Sequence, residues 1–127
     1  MIDSTYDSSS PHVALVVDDD SRIRAYIKVI LQTARIRVLE AGDGIEALQV
    51  FRVWHGVIDL VITDIRMPRM TGTDFADSLR LDSPGIPLIF VSGESAPPAI
   101  NGREKALFIE KPFAPKALLD AARRFLN

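Results

Sequence analysis

The fold follows from one stretch, Asp59-Leu60-Val61-Ile62-Thr63-Asp64-Ile65-Arg66-Met67-Pro68, in which an apolar run ends at an aspartate and a loop with a proline follows. An apolar run of this length is typical of a strand that is buried on both faces of a parallel sheet. Asp64 therefore stands at the carboxyl edge of the sheet, where α/β proteins bind ligands. Position alone leaves its role open, because helix caps and turns also recruit aspartate.

The composition predicts a single folded domain. The chain has 127 residues, 47% of them hydrophobic, and no cysteine. It can bury a full core, whereas disulfides, thiolate metal sites and thiol catalysis are excluded. The net charge of −2 does not indicate a positively charged surface for nucleic acid, so we expect no direct nucleic-acid binding.

The ends of the chain and its apolar segments predict a cytoplasmic protein. Residues 1–11 are polar and serine-rich, so we expect a flexible N-terminal tail followed by one domain over residues 12–127. This tail lacks the basic and apolar regions of a signal peptide. No apolar segment approaches the roughly 20 residues that cross a bilayer, so we expect no membrane insertion.

Apolar segments alternate with helical patterns along the chain. Strands are predicted at residues 13–17, 36–39, 59–64, 86–91 and 107–109. The second is less uniformly apolar, which places it nearer the sheet edge. Residues 96–102 hold two prolines and a glycine, so the fourth helix is expected to be short or irregular. The alternation predicts a doubly wound α/β fold, with a five-stranded parallel sheet and helices on both faces.

Four of the predicted strands lead into residues that can contact a phosphate or a metal. In chain order these are Asp18 and Asp19, then Asp64, Ser92 and Lys111. Each has an ordinary explanation on its own, such as a helix cap or a turn. Because the carboxyl ends of parallel strands meet at one edge, we expect all five side chains to share one cleft.

Three carboxylates in one cleft predict a bound cation. Asp18, Asp19 and Asp64 would repel one another unless a cation neutralised them, and hard oxygen ligands suit Mg²⁺. A lysine and a serine hydroxyl suit phosphoryl oxygens. An aspartate beside a metal is a competent nucleophile for forming an acyl phosphate.

These motifs together resemble the receiver domain of two-component response regulators. The resemblance runs from Val13 to Leu126, in the right order. It is carried by Leu15-Val16-Val17-Asp18-Asp19-Asp20, Ile62-Thr63-Asp64-Ile65-Arg66-Met67-Pro68, Val91-Ser92 and Glu110-Lys111-Pro112-Phe113. It implies a flavodoxin-like sheet with strand order 2-1-3-4-5.

The resemblance implies how the metal and the phosphoryl group are held. Asp64 would accept the phosphoryl group from a phosphohistidine of a sensor histidine kinase. Asp19, Asp64 and the backbone carbonyl of Arg66 would hold Mg²⁺, with Asp18 acting mainly through a metal-bound water. Ser92 and Lys111 would bind the phosphoryl oxygens.

The resemblance also implies a switch. The Lys111–Pro112 bond would be cis, and phosphorylation would draw Ser92 inward and let the ring of Phe108 follow, altering the face made by the fourth and fifth helices. Phe108 replaces a frequent tyrosine of the family, so a signal through a hydroxyl is lost. The compact segment between Ser92 and Lys111 replaces a full helix, which puts the usual output face in doubt.

Two charged residues at the cleft mouth are predicted to modulate the lifetime of the phosphoryl group. Arg66 and Glu94 stand two residues beyond Asp64 and Ser92, at positions with this influence in the family. Because their charges are opposite, we hypothesise that they pair across the cleft.

The expected partners are a sensor histidine kinase or phosphotransfer protein and an unknown downstream protein. Arg22, Arg24 and Lys28 of the first helix are predicted to form part of the kinase-facing surface. We expect no output domain after Asn127, and therefore expect the protein to act through a partner, as a monomer or weak dimer. It would catalyse its own phosphorylation and dephosphorylation without turning over a separate substrate, and in that sense it is not an enzyme.

Two alternatives remain open at this point. A Mg²⁺-dependent phosphohydrolase of the haloacid dehalogenase type also uses a strand-end aspartate, here Asp18 with Asp20, although the short chain leaves little room for a cap insertion. A degenerate receiver would instead act as an interaction module without phosphorylation. Repeated release of phosphate from a small phosphoester favours the first alternative, and the absence of a response to beryllofluoride with Mg²⁺ favours the second.

Overall fold

The computed structural model describes residues 12–93, 100 and 102–126. Within these ranges five strands and four helices follow one another. In chain order they are β1 Val13–Val17, α1 Ser21–Thr33, β2 Arg37–Ala41, α2 Gly44–Val53, β3 Leu60–Asp64, α3 Gly72–Asp82, β4 Leu88–Ser92, β5 Ala106–Glu110 and α4 Pro115–Phe125. The predicted tail, and all of the predicted fourth helix except Ile100 and Gly102, fall outside the described residues.

The five strands form one parallel sheet in the order β2-β1-β3-β4-β5. This confirms the predicted fold class. The central strands β1, β3 and β4 are buried along their whole length, whereas β2 and β5 form the partly exposed edges. The uniformly apolar runs therefore mark the strands that are covered on both faces.

Alternate residues of the strands point to opposite faces and build two cores. On one face α2 and α3 cover the sheet, with core residues Leu15, Val61, Phe90, Phe51 and Phe75. On the other face α1 and α4 cover it, with core residues Val16, Ile62, Ile89, Ile27 and Leu118. None of the helices described is long and apolar enough to cross a bilayer.

The edge strands are longer than the sequence predicts. β2 runs to Ala41 because Glu40 and Ala41 pair with Val16 and Val17 of β1. Ile36 is buried although it precedes the strand. β5 likewise extends one residue beyond the predicted segment at each end, since it pairs along β4 from Ala106 to Glu110. Strand pairing, rather than hydrophobicity, sets these ends.

The single tryptophan lies at the end of the sheet opposite the predicted cleft. Trp54 is the C-terminal cap of α2, and its backbone N–H donates to the Val50 carbonyl at 3.0 Å. Its half-buried ring packs against the core under α2. The turn that follows leads into the start of β3, whereas Asp64 stands at the finish of that strand.

Candidate functional site

The carboxyl ends of four strands converge at one edge of the sheet. Asp18 follows β1, Asp64 ends β3, Ser92 ends β4 and Lys111 follows β5. Asp64 pairs in register with Val91, one residue before Ser92. The backbone N–H of Lys111 donates to the Ser92 carbonyl at 2.7 Å. The sheet therefore places these sequence-predicted residues on neighbouring strand ends.

Three carboxylates form the centre of the cleft. Asp18, Asp19 and Asp64 each offer an oxygen that lies within 4.8 Å of the others. Asp18 is 2% and Asp64 8% exposed, whereas Asp19 faces solvent. Mg²⁺ takes oxygen ligands and usually needs only one or two protein carboxylates, so this donor set fits it.

Lys111 bridges the two buried carboxylates. Its Nζ lies 3.0 Å from Asp18 Oδ2 and 3.6 Å from Asp64 Oδ2. An ammonium is a compact charge that offsets the repulsion between carboxylates in a poorly solvated site. The Lys111–Pro112 bond after it is cis, as the resemblance implies.

The end of β3 holds Asp64 by short-range hydrogen bonds. The backbone N–H of Ile65 donates to Asp64 Oδ1 at 2.8 Å, and the Thr63 hydroxyl donates to the Asp64 carbonyl at 2.8 Å. The N-terminus of α3 then folds back over this strand end, where the Gly72 N–H donates to the Ile65 carbonyl at 2.7 Å. A Cβ on Gly72 would lie 2.0 Å from the Asp64 carbonyl oxygen.

The surroundings of Asp64 disfavour its charged form. Burial raises the pKa of the Asp64 carboxyl above its ordinary value, and the negative charge of Asp18 raises this pKa further. Lys111 and the Ile65 N–H act in the opposite direction without cancelling the rise. The ionised form of Asp64 is therefore a local cost to the fold.

We expect Asp64→Asn to raise the free energy of unfolding at pH 7 in the presence of a chelator. Because folding raises the pKa of Asp64, its charge costs stability at every pH above the folded pKa. That cost disappears as the pH falls towards the unfolded value of about 3.9, so the gain should shrink in acid. Thermal unfolding of wild type and Asp64→Asn at neutral and acidic pH tests this, since each kcal/mol should shift the Tm by about 4 °C.

A matched control is Asp120→Asn, which neutralises an exposed carboxylate paired with Lys116 on α4. It should show no gain at pH 7. Equal or lower stability of Asp64→Asn at pH 7 would contradict the prediction.

Asp20 caps α1 and lies outside the carboxylate cluster. Its side chain accepts the backbone N–H of Arg22 at 2.9 Å as the N-cap of the helix. The hydrogen bond from the Arg22 side chain lowers the pKa of Asp20 below its ordinary value. The Asp20 N–H donates to Asp18 Oδ1 at 2.9 Å and so helps to orient the Asp18 carboxylate.

The basic residues of α1 have acidic neighbours. Arg22 pairs with Asp20 at 3.3 Å, and Lys28 pairs with Glu40 at 3.7 Å. Arg24 Nε donates to Glu40 Oε1 at 3.1 Å, while its Nη1 donates to the Asp18 carbonyl at 2.6 Å. The kinase-facing surface remains a prediction, but Arg24 turns towards the cleft, which the sequence did not reveal.

A second contact that sequence reasoning missed ties the loop after β3 to α2. Arg69, at a φ of 68°, forms an ion pair with Asp43. Asp43 also caps α2 by accepting the Glu46 N–H at 2.8 Å. The two residues are 26 positions apart, so no local pattern could have revealed the pair.

The predicted switch and modulator residues are only partly described. Phe108 is half-buried on β5 and pairs in register with Phe90. Its side chain packs against the core under α2 and α3, and Phe108 lines a cavity of about 220 Å³ together with Phe90. Arg66 is exposed in the loop after β3. Its predicted partner Glu94 lies outside the described residues, so their pairing stays a prediction.

Comparison with known proteins gives matches over most of the chain. The profile of the family described as "Response regulator receiver domain" matches residues 14–123. Sensor kinase CckA of Brucella abortus is 31% identical over 129 residues, which cover 99% of this chain and 14% of CckA. The chain thus spans about a seventh of that relative.

Solved structures agree with this match. Chemotaxis protein CheY4 of Vibrio cholerae is 32% identical, with a TM-score of 0.83 and coverage of 91% of this chain and 98% of CheY4. Response regulator TrrA of Thermotoga maritima, solved in complex with Mg²⁺ and BeF, is 30% identical, with a TM-score of 0.81 and coverage of 91% and 99%. Sheet order, convergent strand ends and these matches agree, and the chain belongs to the receiver domain family of two-component response regulators.

Proposed function

We propose that this receiver domain accepts a phosphoryl group on Asp64 from a phosphohistidine of a sensor histidine kinase or phosphotransfer protein. The observation that carries the proposal is the cluster of Asp18, Asp19 and Asp64, with oxygens within 4.8 Å of one another and Lys111 bridging two of them. The family match favours this role over a haloacid dehalogenase type phosphohydrolase.

The residues of the cleft would share the work of phosphoryl transfer. An Asp64 carboxylate oxygen would attack phosphorus, forming an O–P bond while the N–P bond of the phosphohistidine breaks and its electron pair returns to the imidazole. Lys111, already beside both buried carboxylates, would neutralise the transferred oxygens, and the Ser92 hydroxyl would donate to one of them. The reaction would modify the domain itself, and water would later hydrolyse the acyl phosphate, releasing inorganic phosphate and restoring the Asp64 carboxylate without a separate substrate.

Mg²⁺ would be held by Asp19, Asp64 and the Arg66 carbonyl, with Asp18 acting mainly through a metal-bound water. When bound, the ion would supply positive charge that screens the incoming phosphoryl group from the carboxylates. The orientation of Asp18 by Lys111 and by the Asp20 N–H supports its placement beside the ion.

The switch would act through Ser92, Phe108 and Lys111. Ser92 is 4% exposed and ends the strand beside β5, so a movement towards a phosphoryl group would be transmitted to the neighbouring strand. The cavity of about 220 Å³ that Phe108 lines with Phe90 would give its ring room to change position. The altered surface would then bind a downstream partner more tightly or more weakly.

A surface next to Lys111 suits the approach of a phosphohistidine-bearing domain. Ile23 and Tyr26 of α1 face Phe113 across a groove of about 360 Å³ that Lys111 and Pro112 also line. The Tyr26 hydroxyl donates to the Phe113 carbonyl at 2.9 Å, which ties α1 to the loop after β5. Similar proteins include sensor kinases, which supports such a donor.

The decisive experiment is a titration with beryllofluoride, a phosphoryl mimic, and Mg²⁺. We expect the wild-type protein to gain about 2.7 kcal/mol of stability at a hundredfold excess over Kd, because the mimic binds only the folded state. Amide shifts of Ser92 and Phe108 should change in the same titration. Asp64→Asn should lose the response, and labelling from a small-molecule phosphodonor should be stoichiometric in wild type and absent in this variant.

Two other outcomes would point elsewhere. An unchanged wild-type stability and spectrum would favour an interaction module that works without phosphorylation. Continued release of phosphate by Asp64→Asn would favour a hydrolase built on another aspartate.

A further inference from the structure

We infer that Arg24 is a positioning residue for the Mg²⁺ site, acting through the backbone of Asp18. The inference rests on the proposed function, because it concerns the same cation. Arg24 touches no carboxylate of the cluster in the contacts described above. Its guanidinium instead donates to the Asp18 carbonyl at 2.6 Å, from a side chain that is 20% exposed.

This bond completes a clamp on the peptide units that flank Asp18. On one side, the Asp18 N–H donates to the Ala41 carbonyl of β2 at 3.2 Å. On the other side, Arg24 holds the Asp18 carbonyl, which belongs to the planar peptide unit leading into Asp19. Fixing that plane fixes the direction in which Asp19 leaves the strand. The exposed Asp19 carboxylate would otherwise depend on a short loop for its position.

Glu40 aims the guanidinium at this carbonyl. It accepts Arg24 Nε at 3.1 Å through Oε1, while Lys28 lies 3.7 Å from its Oε2. The planar fork of arginine can serve Glu40 and the Asp18 carbonyl together, whereas the ammonium of lysine is a single point. Edge strand β2 thus contributes to the site twice, directly through Ala41 and indirectly through Glu40 and Arg24.

A positioning role and simple electrostatic repulsion predict opposite changes in Mg²⁺ affinity when the charge of Arg24 is removed. A cation close to a Mg²⁺ site repels the ion, so removing its charge alone should tighten Mg²⁺ binding. Losing an outer contact that orients ligands typically weakens metal binding 10–100-fold. If Arg24 positions the loop, Arg24→Met should therefore weaken Mg²⁺ binding even though the site becomes more negative.

The test is a Mg²⁺ titration of the full chain, followed by the amide shifts of Asp20 and Ile65 and accompanied by thermal unfolding. We expect the Kd for Mg²⁺ to rise about tenfold in Arg24→Met and to recover in part in Arg24→Lys, which can still reach one acceptor. Arg22→Met, which removes the same charge from a guanidinium directed at Asp20, should not weaken binding.

Each result decides the matter. An unchanged or lower Kd in Arg24→Met, with reduced thermal stability alone, would assign Arg24 to the fold and overturn the inference. If Arg24→Met does not fold, Arg24→Lys decides in its place, because it keeps the charge but not the planar fork. A Kd for Mg²⁺ equal to that of wild type would then overturn the inference. If wild type itself binds no Mg²⁺, the proposed site fails, and the role of Arg24 fails with it.

Discussion

Gly72→Ala is expected to destabilise the protein by about 3 kcal/mol and to abolish the response of Asp64 to beryllofluoride. A Cβ at this position would lie 2.0 Å from the Asp64 carbonyl oxygen and 2.9 Å from the Ile65 Cα. Both obstacles are backbone atoms, so no side-chain rotation relieves the overlap. The start of α3 must move away from the end of β3, which breaks the Gly72–Ile65 hydrogen bond and displaces Asp64, the proposed phosphoacceptor.

Denaturant unfolding and the beryllofluoride titration measure the two effects. The matched control is Gly85→Ala, where the nearest atom to the new Cβ is the flexible end of Lys105 at 3.8 Å. It should change stability by no more than about 0.5 kcal/mol and leave the titration intact. If Gly72→Ala behaved like this control, the close approach of α3 to Asp64 would not limit which residue fits at position 72, and the prediction would be wrong.

Lys111→Met is expected to move two affinities in opposite directions. The Lys111 ammonium lies between Asp18 and Asp64, at 3.0 and 3.6 Å from their carboxylates. Its removal leaves a more negative site, so Mg²⁺ should bind about tenfold more tightly. Beryllofluoride should bind 10–100-fold more weakly, roughly the worth of a hydrogen bond to a charged group.

Calorimetric titrations with Mg²⁺ alone, and then with beryllofluoride at saturating Mg²⁺, separate the two effects. Lys116→Met removes an exposed lysine that pairs with Asp120 on α4 and should leave both affinities unchanged. Weaker binding of both ligands in Lys111→Met would mean that Lys111 chiefly maintains the local structure.

The sequence was informative where burial is complete. The runs through Val13–Val17 and Leu60–Asp64 are apolar because helices cover both sides of these strands, so their position and parallel pairing could be predicted. The ends of the edge strands were harder to predict from the sequence. Glu40 is polar and exposed, and it belongs to β2 because of backbone pairing with Val16, which leaves no trace in hydropathy.

The candidate site divides in the same way. The sequence could predict the proximity of Asp18, Asp64 and Lys111, because each directly ends or follows a strand and strand ends in a parallel sheet converge. Arg24 could not, since its role depends on a side chain that reaches from a helix to Glu40 and to a backbone carbonyl. From its position on the helix alone, it was predicted only as part of a kinase-facing surface.

The position of Trp54 has a practical consequence for all of these measurements. Its indole is a built-in fluorophore at the end of the sheet opposite the proposed site for Mg²⁺ and phosphoryl mimics. Its emission should report the loss of the packed core under α2 without direct quenching or colour change from a bound ligand. Unfolding curves followed by Trp54 fluorescence with and without Mg²⁺ can therefore be compared directly. The difference between their free energies of unfolding then comes from Mg²⁺ binding to the folded state alone.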